Sequence, residues 1–326
     1  MTASSLRRGS LRVRPDEEMH RRRFLAGAVA ASALLLMGHS PYRKWAQYRA
    51  RHTVIVTDGS DAESFPLGER LAAYLAVRRP ELNATATRAQ SSATVLSLLR
   101  SRQLDVALLR GEDAYQGSHG AGPYAGLAMP LRALAGVAPE YLYVLVPAPS
   151  AIRTMAQLKG HRVGVADAGG RVRIKVRRLA AAAGLDPDAD VRWSSLRADD
   201  VGAALDRGDV DVSCLESPLL APARTLPRLA GDQRLRAVAQ GDAVRALIDR
   251  HGPGYFPASL ADDAAVDLEG DGAVLGEVRL LVCRDDYPAE RARVLAEALG
   301  GWDGLAPRKT PLPIPLHPAV AELTAD

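Results

Sequence analysis

Twice along this chain a short β-branched segment runs into a small polar turn and then into a helical stretch. Residues 52–57 (HTVIVT) lead through Asp58-Gly59-Ser60-Asp61 into residues 67–77 (LGERLAAYLAV), and residues 162–165 (RVGV) lead through Ala168-Gly169-Gly170 into residues 171–183. A strand followed at once by a helix-period segment is the repeating unit of an α/β protein with parallel strands. The first turn is fitted to cap its helix, which Pro80 then stops. The second helix is amphipathic, with Val172, Val176 and Leu179 on one face and Arg171, Lys175 and Arg178 on another. Between and after these units the pattern predicts strands over residues 83–88, 105–109, 141–146, 191–193, 210–214, 235–238 and 277–283. It predicts helices from Ser91 or Ser92 to Leu99, over 201–205 and over 288–299. Residues 117–126 read as a glycine-rich loop, and the proline-rich tail (Pro311, Pro313, Pro315, Pro318) as an extended surface segment.

Charge separates the N-terminal segment from the rest. Of the 42 Lys and Arg, eleven fall in residues 1–51, leaving 31; of the 38 Asp and Glu, three fall there, leaving 35. The basic balance therefore belongs to the first 51 residues, and the remainder is mildly acidic. That excludes a basic nucleic-acid-binding surface as the reading of the high pI. Arg21-Arg22-Arg23-Phe24-Leu25 precedes an apolar run over residues 24–38, the order of an export signal within a leader of residues 1–45. The R-R-x-F-L order also resembles a twin-arginine signal. The run is short for a spanning helix, yet no small-x-small cleavage site comes after it. Extracytoplasmic location is expected, either released or tethered to the inner membrane by an uncleaved N-terminal helix, with Met1 or Met19 as the start.

Cys214 and Cys283 each lie in an apolar run, which reads as two buried thiols; a disulfide between them stays open. The seven histidines are scattered, so neither a metal site nor a cofactor is expected. No G-x-S-x-G elbow, phosphate loop or HExxH motif stands out, which points away from an enzyme.

A set of short motifs, in order from about residue 53 onward, resembles the TAXI-type solute-binding subunits of TRAP transporters, within the type II periplasmic-binding-protein superfamily. The residues are Leu104-Asp105-Val106-Ala107-Leu108-Leu109, residues 158–165 (LKGHRVGV), Ala168-Gly169-Gly170, residues 181–185 (AAAGL), Tyr255-Phe256-Pro257-Ala258 and residues 314–319 (IPLHPA). The resemblance implies a two-lobed α/β clamshell, each lobe a mostly parallel sheet flanked by helices. Lobe one would take residues 52–147 and 252–326, and lobe two residues 148–251. It also implies a membrane transporter as partner and an amino-acid or dicarboxylate-like ligand. A monomer is expected.

In open α/β sheets ligands bind beyond the carboxyl ends of the strands, where helix starts offer free N–H groups to a carboxylate. Three such turns supply candidate ligand-binding residues: Thr57, Gly59, Ser60 and Ser64; Gln90, Ser91 and Ser92; and Gly169, Gly170 and Arg171. The first two read equally as ordinary capped turns. Arg171 stands where the family has a small hydroxyl residue, and it reads either as a bidentate carboxylate partner or as a solvated helix residue. Glu216 and Ser217 extend a buried strand toward the same presumed cleft, and Tyr255 sits where the chain would return to lobe one. The function expected is capture of a small polar or anionic solute for a TRAP-type transporter; the alternative is a membrane-tethered ligand sensor on the same fold.

Overall fold

The computed structural model describes residue 48 and residues 52–166, 170–217, 235–259, 267–268 and 273–324. The expected leader, Ala168 and Gly169 lie outside the described residues. Among the described residues no helix is long and apolar enough to cross a membrane.

The β-branched runs become strands and the amphipathic runs become helices close to where their periodicity places them. In chain order these are β1 (Val54–Asp58), α1 (Ser64–Arg78), β2 (Thr85–Ala89), α2 (Ser92–Arg100), β3 (Val106–Arg110), α3 (Gly111–His119) and β4 (Leu131–Pro147). They continue with β5 (Arg162–Ala166), α4 (Arg171–Ala182), β6 (Arg192–Leu196), α5 (Val201–Asp206), β7 (Val212–Ser217), β8 (Leu235–Ala237) and α6 (Gly241–His251). The chain closes with β9 (Tyr255–Ser259), β10 (Asp267–Leu268), β11 (Ala273–Arg284), α7 (Ala289–Leu299) and α8 (Pro318–Thr324).

Two parallel groups of strands share one continuous sheet. On one side β1 pairs in parallel with β2 and β3; on the other β5 pairs in parallel with β6 and β7. Between them run two long antiparallel strands, β4 and β11, giving the order β2-β1-β3-β11-β4-β7-β5-β6. Each long strand serves both groups. The C-terminal half of β11 pairs with β3 and its N-terminal half with β9, while β4 pairs with β11 along its N-terminal part and with β7 and β8 near its end. The β4–β11 register shifts between Glu277 and Arg279, where Ala138 takes a positive φ of 43°. Bulges of this kind bend a strand pair and raise its twist.

One apolar cluster (Ile55, Leu71, Leu75, Leu108, Leu281, Leu295, Leu299) packs α1 and α7 on the first group. Another (Val144, Val163, Val172, Val176, Leu179, Val212, Val244) packs α4 and α6 on the second. Burial on the order of 25 cal/mol per Å² of apolar surface makes these clusters the main stabilising contribution of each half.

Several expectations need correction. Residues 111–119 are helix α3, and the glycine-rich loop begins only at Gly120. Glu112 and Asp113 favour this helix by sitting in its first turn, and Gly117 lets it pack closely on the Leu96 side chain, 2.7 Å from where a Cβ would lie. Helix α6, over residues the pattern left unassigned, buries Val244 and Leu247. The tail is not a surface segment: Ile314 and His317 are buried, the backbone N–H of Ala133 donates to Pro315, and the chain ends its described part as α8. Prolines blocked a helical or strand reading there, but the edge of β4 near Ala133 left backbone groups for the tail to satisfy.

Candidate functional site

Charged residues inside otherwise apolar strands are what position this site. Arg110 ends β3, Glu140 lies in β4, and Glu277 and Arg279 are two residues apart in β11. Strand pairing puts like charges opposite each other: Glu277 faces Glu140 across β11–β4, and Arg279 faces Arg110 across β11–β3. Either pair alone would be destabilising. The structure resolves both by cross-linking them. Nη1 of Arg110 donates to Glu140 and to Glu277, at 3.1 Å each, while Oδ2 of Asp61 accepts from Nε of Arg110 at 2.8 Å and from Nη2 of Arg279 at 3.4 Å. Arg279 also donates to Glu140.

Helix α4 adds three cations to this cluster. Arg171, Lys175 and Arg178 recur at a spacing that puts them on one helix face. Lys175 is 3 % exposed and pairs with Glu216, at the end of β7, and with Glu277. Arg178 donates to Glu112 of α3 and, at 3.1 Å, to the Tyr255 hydroxyl, which itself donates to Glu112. Gln116 donates to the same carboxylate at 2.9 Å, and the Glu112 backbone N–H donates to Glu277 at 3.2 Å. At the start of α4, Nη2 of Arg171 donates to Asp58 at 3.0 Å and to Asp113 at 3.4 Å. Asp58 is fixed by the backbone N–H and hydroxyl of Ser60, at 2.8 and 2.6 Å, and Asp113 by the Tyr124 hydroxyl at 3.2 Å.

Burial and neighbours set the protonation of this seam. Burial alone would raise the Glu277 carboxyl, but Lys175 and Arg110 override it and hold it at about 2. Asp61 is likewise held well below the carboxylate range by Arg110 and Arg279 against its burial. Asp113 goes the other way: burial pushes it up to about 6, helped by Glu277, Glu112 and Asp58 and opposed by Arg171. Tyr124 rises to about 12 through burial and the charge of Asp113, and Tyr255 rises through burial, Glu277 and Glu112. Lys175 keeps its proton because Glu216 and Glu277 outweigh its burial.

The candidate residues fall into three groups around this seam. Arg171, Glu216 and Tyr255 are part of it. Ser60 and Ser64 support it by binding the carboxylates of Asp58 and Asp61; Ser92 supports it by accepting from the Tyr124 hydroxyl at 3.2 Å. Thr57, Gly59 and Ser91 make local contacts: Thr57 donates to the Thr87 carbonyl, Ser91 caps α2, and Gly59 has no room for a Cβ, which would lie 2.4 Å from the Ala89 carbonyl oxygen. Gly170 takes φ 79° just before α4, and Ser217 is buried at the end of β7 opposite Tyr141. Gln90 is exposed beside the Ser91 cap.

The central residues Asp58, Asp61, Arg110, Glu112, Asp113, Glu140, Lys175, Arg178, Glu277 and Arg279 were not singled out as a site by sequence. One signal could have found two of them. Glu277 and Arg279 share one face of an apolar strand, and a buried charge requires a partner. Among the described residues no group of His, Cys, Asp and Glu could hold a metal ion.

The fold and the seam define a mixed α/β protein whose two parallel groups of strands flank a buried, internally paired cluster of charge. The model of the NMT1-like family matches residues 55–301, and the chain belongs to that family. Solved structures show a distant likeness. XAC2383 from Xanthomonas citri bound to ATP is 13 % identical, with a TM-score of 0.45 over 76 % of this chain and 82 % of that one. The periplasmic aliphatic sulphonate binding protein SsuA from Escherichia coli is 18 % identical, with a TM-score of 0.38 over 84 % and 83 %. A binding protein component of an ABC phosphonate transporter from Pseudomonas aeruginosa is 13 % identical, with a TM-score of 0.40 over 76 % and 72 %.

Proposed function

We propose that the chain is an extracytoplasmic solute-binding protein that captures a small polar solute between its two halves for a TRAP-type membrane transporter, without chemistry on the solute. The observation that carries this reading is convergence. The end of β1, the starts of α3 and α4 and the end of β7 all bring polar groups to one seam. The halves would hinge at the irregular middle of β4 and β11, refining the lobe boundaries expected at residues 147 and 252.

Charge narrows the ligand class. Five cations (Arg110, Arg171, Lys175, Arg178, Arg279) meet seven acids (Asp58, Asp61, Glu112, Asp113, Glu140, Glu216, Glu277) in the seam. A dicarboxylate would add to that excess of acid. A solute bearing an ammonium group, such as an amino acid, would reduce it, while the start of α4 remains suited to its carboxylate. Arg171, a candidate partner for a carboxylate of the ligand, pairs with Asp58 and Asp113 within the chain.

The test is a thermal-shift screen with amino acids, amines and dicarboxylates. Ammonium-bearing compounds should raise Tm and dicarboxylates should not, since any ligand of the folded state stabilises it by mass action. No shift with any compound sinks the solute-binding reading; a shift with dicarboxylates alone sinks the ligand class. The membrane-tethered sensor remains the second reading, on the single ground that no cleavage site comes after the apolar run. Fractionation with N-terminal sequencing separates the two, and co-purification with transporter subunits tests the partner.

A further inference from the structure

Helix α4 belongs to the second half by its packing: Val172, Val176 and Leu179 lie in the core with Val163 and Val212. Its charged face belongs to the first half by its partners. Arg171 reaches Asp58 at the end of β1 and Asp113 on α3, and Arg178 reaches Glu112 on α3. Between them Lys175 pairs with Glu216 of its own half and with Glu277 on the crossing strand β11. Successive turns of one helix are thus tied across the seam at three depths by ion pairs within the chain.

The three ties differ in how much they lose on opening. Lys175 is buried, and its partner Glu277 lies on a strand shared by both halves, so hinge motion need not break that pair. Arg178 is 31 % exposed, but its tie to Glu112 is doubled by the Tyr255 hydroxyl, which accepts from Arg178 and donates to the same carboxylate. Arg171 keeps 24 % of its side chain exposed, and its partners Asp58 and Asp113 lie on the first half. When the halves part, Arg171, Asp58 and Asp113 all regain water, which offsets much of the lost pairing. That contact is accordingly the weakest of the three and the first to release.

We propose that the cationic face of α4 is a charge latch that holds the two halves closed without ligand, with Arg171 as its releasable contact. The inference rests on the hinged, two-half reading above. It adds that the protein at rest is closed, so that a ligand must displace Arg171 from Asp58 and Asp113 to gain the seam. The apparent affinity for any ligand is then reduced by the fraction of molecules already latched.

The test measures separation of the halves in the ligand-free full chain. Spin labels are placed at V77C on α1 and A189C between α4 and β6, both exposed positions, and distances are read by pulsed dipolar EPR. Native Cys214 and Cys283 are buried and burial holds both thiols protonated, so they stay unlabelled. The unaltered seam should give one short distance. Arg171→Ala should add a longer one, raising the open-to-closed ratio by about tenfold, the change expected for loss of one charge-assisted contact. Arg171→Met and Asp58→Asn read the same contact should the alanine variant fail to fold. Distances unchanged in all three variants overturn the latch, as does a seam already open in the unaltered chain. Because no ligand is involved, failure of the solute screen leaves this result standing, and failure of the latch leaves the screen standing.

Discussion

The cluster on the crossing strands and the cluster at the start of α4 are built from the same kinds of residue, yet the structure uses them differently. On β3, β4 and β11, Arg110, Arg279, Glu140 and Glu277 are locked by strand register, and their side chains are 2–15 % exposed. At the start of α4, Arg171 reaches across to Asp58 and Asp113 from a helix that belongs to the other half. The first arrangement has no alternative partners once the sheet forms, so it fixes the fold. The second is partly open to water, which is what the proposed latch requires. Burial and covalent tethering, more than charge itself, decide which ion pair is structural and which can move.

The comparison can be broken from its strong side first. Glu277→Ala should cost about 3–5 kcal/mol of unfolding free energy, because Lys175 and Arg110 would be left buried with one carboxylate fewer. Urea denaturation measures this, and a loss under about 1 kcal/mol would remove the distinction between the clusters. A packing change should come next. A Cβ at Gly254 would lie 2.5 Å from the Cα of Glu112, and neither backbone can yield easily. Gly254→Ala should therefore cost about 1–3 kcal/mol, read by the same denaturation. Arg171→Ala should be the mildest of the three, about 1 kcal/mol or less, since its ion pair is partly solvated; a cost matching that of Glu277→Ala would make the α4 contact structural as well.

The contrast also shows in pH dependence. Asp113 sits at about 6 when folded against 3.8 for the ordinary group, so the folded state binds its proton more tightly. Its contribution to stability is fully present below the unfolded value and is lost as pH rises through about 6. Glu277 has the opposite sign: held at about 2, its contribution is present above 4.5 and lost as pH falls through about 2. The groups facing Asp113 are Arg171 from α4, Asp58 from β1, Glu277 from β11, Glu112 on its own helix and the Tyr124 hydroxyl. Between about pH 5 and 8, Asp113→Asn should remove a decline in Tm that the unaltered chain shows. Identical profiles for the two would place the proton elsewhere.

Much of the architecture was legible because apolar periodicity is local. The segments around Val54–Asp58, Ser92–Arg100 and Val106–Arg110 declare their state within a few residues, and Ser91 stands out as a cap because capping acts within one turn. The site was legible only in part. Arg171, Glu216 and Tyr255 were within reach because each stands at a strand end or helix start. Glu112 and Asp113 lay in a segment to which the pattern assigned no helix, and Lys175 and Arg178 read as the polar face of an amphipathic helix.

Amino-acid order alone was enough for the class of fold, the succession of strands and helices and the placement of positive charge in the first 51 residues. Which charges meet was settled by tertiary contact. Nothing local to VALLR or LGEVRLLVC says that Arg110 will lie opposite Arg279, or that Asp61 will sit between them; that comes from the register of β3 against β11. Hydrophobic patterning is read within one element, whereas the partner of a buried charge is chosen by elements that approach from far along the chain, as Glu277 does when it meets Arg110 at a separation of 167 residues.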